Sequence, residues 1–335
     1  MHIRDWVVRP PMIAQWMPSV SLDRLAARCR FCALLVLTII MASCARLPEI
    51  RTTPLKTETL GKLQQHLLDH SPDVDQFRLR GPLEVTQQEE IELDSGPGGR
   101  IVGDLFLSSA KERAPLIVLL HGHGNTRVDH AYQAYHLGTW GLHSLTVDLP
   151  NEGPWIDHGK TLARLIERIR RGVPKLDSRI DRERIVIVGH SFGAAAVAVS
   201  LAQGAPVLGA ILLDPASEFS ELRGYLARVR KPVMILGADP HIGMTKNRDD
   251  FFYYVPGNVF EVSVANAHHE DAEFPFESAL DLFESSHATR ELQITFASAL
   301  TSAAFSIGFT GNLEYVWNST YDLARDGKLI GRMRK

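Results

Sequence analysis

From residue 115 onward, short apolar runs alternate with longer stretches of mixed polarity. The runs cover residues 115–120, 143–147, 184–188, 208–213, 231–236 and 259–264. Most are rich in Val, Ile and Leu and are apolar at consecutive positions. That is the pattern of strands buried on both faces of a parallel sheet. The stretches between them carry helical patterns near 131–137, 160–171, 194–202 and 220–229. Alternating strands and helices predict an α/β fold with a mostly parallel central sheet and helices on both faces. Before this, residues 77–94 and 100–108 alternate in the manner of strands, with Gly- and Pro-rich residues 95–99 as the turn. After it, two more helices are expected at 289–305 and 313–327. The segment 297–309 is apolar and rich in small residues, and burial against the sheet is its expected fate.

The first 44 residues differ from the rest. They carry five arginines against two aspartates, and then an uncharged run over residues 31–41. That run is too short for the roughly 20 residues that a spanning helix needs, but it suits the apolar region of a signal peptide. Ala42, Ser43 and Cys44 follow it. All 3 cysteines of the 335-residue chain lie in this segment, at Cys29, Cys32 and Cys44. A disulfide framework or cysteine-ligated zinc is therefore excluded downstream. The formal charge of −3 offers no basic footprint for nucleic acid. The expected organisation is a signal segment over 1–43, a linker with a short helix over 44–75, and one domain over 76–335.

The sharpest chemical feature is Gly189-His190-Ser191-Phe192-Gly193, directly after the run 184–188 and directly before a helix former-rich stretch. A G-x-S-x-G at a strand–turn–helix junction exposes the serine hydroxyl on a tight turn. The helix that follows points its free amides at developing negative charge. Earlier, the run 115–120 ends in His121-Gly122-His123-Gly124-Asn125. Its H-x-H invites comparison with a metal motif. The further Asp and His of that motif fall on Asn125 and Thr126, so no metal is expected there. His121 is read as a hydrogen-bonding residue beneath the loop.

A general base belongs after the last parallel strand, where Ala265-Asn266-Ala267-His268-His269-Glu270-Asp271 follows the run 259–264. Loop length favours His268 over its neighbour His269. Two carboxylates compete as its partner. Asp214 closes the run 208–213, and Asp239 follows the run 231–236. The partner would fix the imidazole tautomer and stabilise the imidazolium.

These motifs resemble the α/β-hydrolase superfamily over residues 100–282. The likeness is strongest to the platelet-activating-factor acetylhydrolase and dienelactone-hydrolase-like esterases. It rests on LLHGHGN (119–125), GHSFGAAAV (189–197), AILLDPASEF (210–219) and AHHEDAEF (267–274). The resemblance implies an α/β-hydrolase fold and a Ser191, His268, Asp214 triad. The acetylhydrolase pattern, with its acid closing the next strand, is the main ground for Asp214. It also implies an oxyanion hole from the backbone amides of His123 and Phe192. Ser191 departs from the dienelactone hydrolases proper, which use cysteine. The implied activity is hydrolysis of small-molecule carboxylic esters, lipid-derived or short-acyl, with no cofactor. A peptidase, or a binding protein retaining the fold, are the rival readings. The first 44 residues resemble a bacterial lipoprotein signal peptide, with Met41 where leucine is usual. That likeness implies lipidation at Cys44 and a location in the cell envelope, tethered to a membrane surface.

Overall fold

The computed structural model describes residues 60–69, 73–94, 99–150, 154–242, 248–275 and 287–335. The signal-type segment, Cys44 and the first part of the linker lie outside the described residues. The chain begins with helix α1 (Leu60–Asp69) and a 3-10 turn at Val74–Arg78. Strands β1 (Val85–Asp94) and β2 (Ile101–Ser108) follow, then β3 (Ala114–Leu120). A 3-10 turn (Arg127–His130), α2 (Ala131–Thr139), β4 (His143–Asp148) and α3 (Trp155–Arg170) come next. The centre of the chain is β5 (Ile180–His190), α4 (Phe192–Ala202), β6 (Gly209–Leu213), α5 (Leu222–Leu226) and β7 (Val233–Gly237). It closes with α6 (Arg248–Tyr254), β8 (Val259–Val264) and a 3-10 turn (His269–Ala272). Last are α7 (His287–Phe305), α8 (Glu314–Ser319), α9 (Tyr321–Arg325) and β9 (Leu329–Arg334).

The strands form one sheet in the order β1-β2-β4-β3-β5-β6-β7-β8-β9. From β4 to β8 every pairing is parallel. The outer pairings, β1 with β2, β2 with β4 and β8 with β9, are antiparallel. The expected mostly parallel sheet with helices on both faces is thus present.

Strands β3, β6, β7 and β8 are buried throughout, as is β5 from Ile185 onward, and successive side chains serve opposite faces. Ile117, Leu119, Val186, Val188, Ile211 and Leu213 pack on the face covered by α2 and α7. Leu116, Val118, Leu120, Ile185, Ile187 and Leu212 pack on the face covered by α3 and α4. Burying one such side chain contributes about 1.5–3 kcal/mol. Helix α4 reads FGAAAVAVSLA and is buried from Gly193 to Leu201. Its small side chains let it lie close against the sheet.

One described helix, over 289–310, has the length and apolarity to cross a membrane, yet 78% of its 18-residue apolar window is buried inside the fold. Phe296, Leu300, Ala303 and Ala304 are among its wholly buried residues. It is a core helix, as the small-residue pattern of 297–309 implied. Other expectations need correction. The region 77–94 is strand only from Val85. The stretch 313–327 is two short helices rather than one. Helix α6 and strand β9 were not foreseen.

Candidate active site

Ser191 lies between β5 and α4 with φ 54° and ψ −124°. A side chain other than glycine pays about 1–3 kcal/mol for such a backbone. Surrounding bonds hold it there. The Ser191 amide donates to the Leu213 carbonyl at 3.1 Å, and the Ser191 carbonyl accepts from Ala216 at 3.2 Å. The flanking glycines are steric necessities. A Cβ at Gly193 would sit 2.2 Å from the His121 carbonyl oxygen, and one at Gly189 would sit 2.5 Å from the Gly193 oxygen. Strand, turn and helix therefore meet at backbone contact.

Asp214 follows β6 and is completely buried. Its Oδ2 accepts a 2.6 Å hydrogen bond from His269 Nδ1. Its Oδ1 accepts from the Ala238 amide at 2.9 Å and from Arg248 Nη1 at 3.2 Å. His268, expected as the imidazole partner, does not make this contact; its neighbour does. The cause is the local turn. His268 is the N-cap of the 3-10 turn His269–Ala272, with extended backbone (φ −88°, ψ 171°). Its amide donates to Asp271 Oδ2 at 2.7 Å, and its side chain is exposed. His269, as first residue of the turn, faces inward.

Burial works to lower the His269 pKa. The Asp214 hydrogen bond and charge, helped by Glu270 and Glu273, outweigh it and raise the imidazole above its ordinary value. Asp239, the rival acid, is turned to another task. Its two oxygens accept from the amides of His241 at 2.8 Å and Asn266 at 2.7 Å. It thus braces the loop before His268 and makes no contact with either imidazole.

Arg248 is a buried cation behind Asp214. Its guanidinium also donates to the Ala238 carbonyl at 2.7 Å and to Ser263 Oγ. It lies flat over Gly237, where a Cβ would fall 2.0 Å from the guanidinium carbon. Glu261 stands 3.6 Å from it. Burial pushes the Glu261 carboxyl up to about 7, against the pull of the Arg248 charge. A carboxyl raised in the folded state leaves stability intact below its unfolded pKa. That stability drains as pH rises through the folded value. Between about pH 4 and about pH 8 the wild type should therefore lose about 3 kcal/mol more than Glu261→Gln. Urea unfolding of both proteins at each pH checks this, and equal losses would contradict it.

The loop after β3 carries His121 to Asn125. His121 Nδ1 lies 2.8 Å from the Gly122 carbonyl and its Nε2 lies 3.5 Å from Asp148. It braces the loop from beneath, as expected. Arg127 fixes the far end, reaching Asp148 at 2.6 Å and Asp104 at 3.0 Å. His123 is exposed, and its ring sits 5.9 Å from that of Phe192. Phe192 is the first residue of α4, so its amide belongs to the unpaired first turn of a helix. The residues expected to offer oxyanion amides thus flank Ser191. Beside them opens a cleft of about 510 Å³, lined among others by His123, Asn125, Leu149, Trp155 and His158.

Sequence reasoning missed a buried polar cluster under the serine turn. Glu273 Oε1 lies 2.7 Å from His190 Nδ1 and accepts from the Asn125 side-chain amide. His190 Nε2 lies 3.2 Å from the His269 carbonyl. The loop holding His269 is further stitched to α2 by Gln133, which donates to the Ala272 carbonyl at 2.9 Å, and by Tyr132, stacked 4.0 Å from Phe274. The only signal in the sequence was that His190 and Glu273 sit inside the two motifs already chosen. Arg248 gave none, because an arginine outside any expected element reads as solvated.

A search of curated proteins finds no match to this chain. A family model described as alpha/beta hydrolase family matches residues 117–305, which run from within β3 to the end of α7. This span takes in the parallel strands, the serine turn, Asp214 and His269. The chain is a member of the alpha/beta hydrolase family.

Proposed function

We propose that the protein is a serine hydrolase that cleaves carboxylic esters of small molecules. The observation that carries this reading is the short hydrogen bond between buried Asp214 and half-buried His269, beside the strained turn of Ser191. In the proposed cycle, Ser191 Oγ attacks the ester carbonyl while His269 Nε2 takes its proton. Asp214 holds the Nδ1 proton and stabilises the imidazolium. The amides of His123 and Phe192 receive the oxyanion, each worth about 10²–10³ in rate. His269 returns the proton to the leaving alcohol. Water then attacks the acyl-enzyme by the same base and frees the acid.

The cleft beside the oxyanion loop has a volume in the range of small-molecule sites, and it mixes apolar walls at Leu149 and Trp155 with polar ones. The proposed location, tethered at a membrane surface through Cys44, rests on the basic stretch, the apolar run and the cysteine of the first 44 residues. The test is labelling with a fluorophosphonate, followed by mass spectrometry, beside turnover of p-nitrophenyl acetate and of a peptide p-nitroanilide. The expected result is one adduct on the Ser191 peptide and faster ester than amide cleavage. A folded protein that takes no label would sink the serine mechanism. Faster amide cleavage would turn the reading to a peptidase.

A further inference from the structure

Beneath the serine turn, His130, His190 and Glu273 bring one donor atom each within 4.8 Å of one another. All three are buried. Neither the hydrolytic cycle nor the packing of the sheet accounts for His130. Its Nε2 has no hydrogen-bond partner among the described residues, and the side chain is 1% exposed. A buried polar atom without a partner costs about 1–3 kcal/mol.

The tautomers of both imidazoles can be read from their partners. The Gln133 side-chain amide donates through Nε2 to the Ala272 carbonyl, which turns its Oε1 toward His130 Nδ1 at 2.6 Å. His130 Nδ1 is therefore the protonated nitrogen, and Nε2 carries a bare lone pair. In His190, Nε2 faces the His269 carbonyl, which can only accept. That nitrogen carries a proton, and Nδ1 is the one turned to Glu273.

We propose that His130 Nε2, His190 Nδ1 and Glu273 form a binding site for a divalent cation of the zinc type, whose place in the protein is structural. Two neutral imidazoles and one carboxylate are a donor set that zinc accepts. The outer partners have the arrangement that metal sites use. Each ligating histidine gives its other N–H to a fixed oxygen, Gln133 Oε1 for one and the His269 carbonyl for the other. The carboxylate is held by the Asn125 side chain. Without a cation, a proton bridges His190 and Glu273, and the His130 lone pair stays unused. With one, that proton leaves, the cation replaces it, and all three lone pairs are engaged. The ion would tie the serine turn to the loops that carry Asn125 and His269, with no part in bond cleavage.

The test uses the whole purified protein, stripped with a chelator, dialysed, and titrated with Zn²⁺ alone by calorimetry. The expected result is one saturable site per chain and a melting temperature that rises with Zn²⁺ concentration. His130→Gln should weaken binding by at least about 10-fold, since it removes one ligand. His268→Ala, which alters an exposed imidazole outside the cluster, should leave it unchanged. Ser191→Ala should bind as tightly as wild type. Circular dichroism of each variant shows that it folds. The proposal is overturned by a wild type that takes up no stoichiometric zinc. It is equally overturned by binding that survives His130→Gln, or by binding that disappears in His268→Ala.

Discussion

Ser191→Ala is expected to lower kcat toward an ester by about 10⁶-fold, with KM changed far less. The alanine keeps the turn, the cleft and both oxyanion amides, so substrate still binds. What disappears is the nucleophile, and with it the acyl-enzyme. The residual rate, about 10³–10⁴ above water, would come from the oxyanion amides and from binding alone. The measurement is steady-state turnover on protein whose melting curve matches the wild type. Retention of more than a hundredth of the activity would mean that another group attacks.

The second large effect separates two adjacent residues. His269→Ala should cost as much as loss of the serine, because the two act as one unit. His268→Ala should stay within a few-fold of wild type, since that ring is exposed and makes no contact with Asp214. The pH profile gives a further check. The base must be neutral to accept the serine proton, and its pKa is raised by Asp214. Activity should therefore fall on the acid side of a pKa above the ordinary histidine value of 6.5. Reversed effects in the two variants would assign the base to His268.

Much of this fold could be read from the chain because the central strands are buried on both faces. Such strands leave unbroken Val, Ile and Leu runs, as in Ile185–Val186–Ile187–Val188 before the serine. Strand β9 could not be read that way. Its sequence is LIGRMR, and its burial is confined to the first residues. Its pairing depends on the exposed edge of β8, which only the folded sheet provides. Helix α6 is short, and Arg248 at its start is hidden because Gly237 leaves room for a guanidinium.

At the imidazole beside Asp214, the candidate site could be read to within one residue. Strand order and motif brought the reading to His268-His269. Which ring turns inward depends on where the 3-10 turn starts, and no periodicity reports that. Asp214 and Asp239 both stand at strand ends, and the preference for Asp214 rested on the family resemblance. They are told apart by what their oxygens meet, an imidazole and a guanidinium for one, loop amides for the other. The cluster of His130, His190 and Glu273 joins residues from three distant parts of the chain, and only the folded chain brings them together.

The backbone at Ser191 also bears on how such a position changes over time. Glycine would occupy φ 54° without strain, so thermodynamic pressure at this position favours losing the hydroxyl. A lineage released from the need for the chemistry would gain stability by giving it up. On the proposed function, Ser191 is therefore a residue whose chemistry, and not its backbone preference, suits this position.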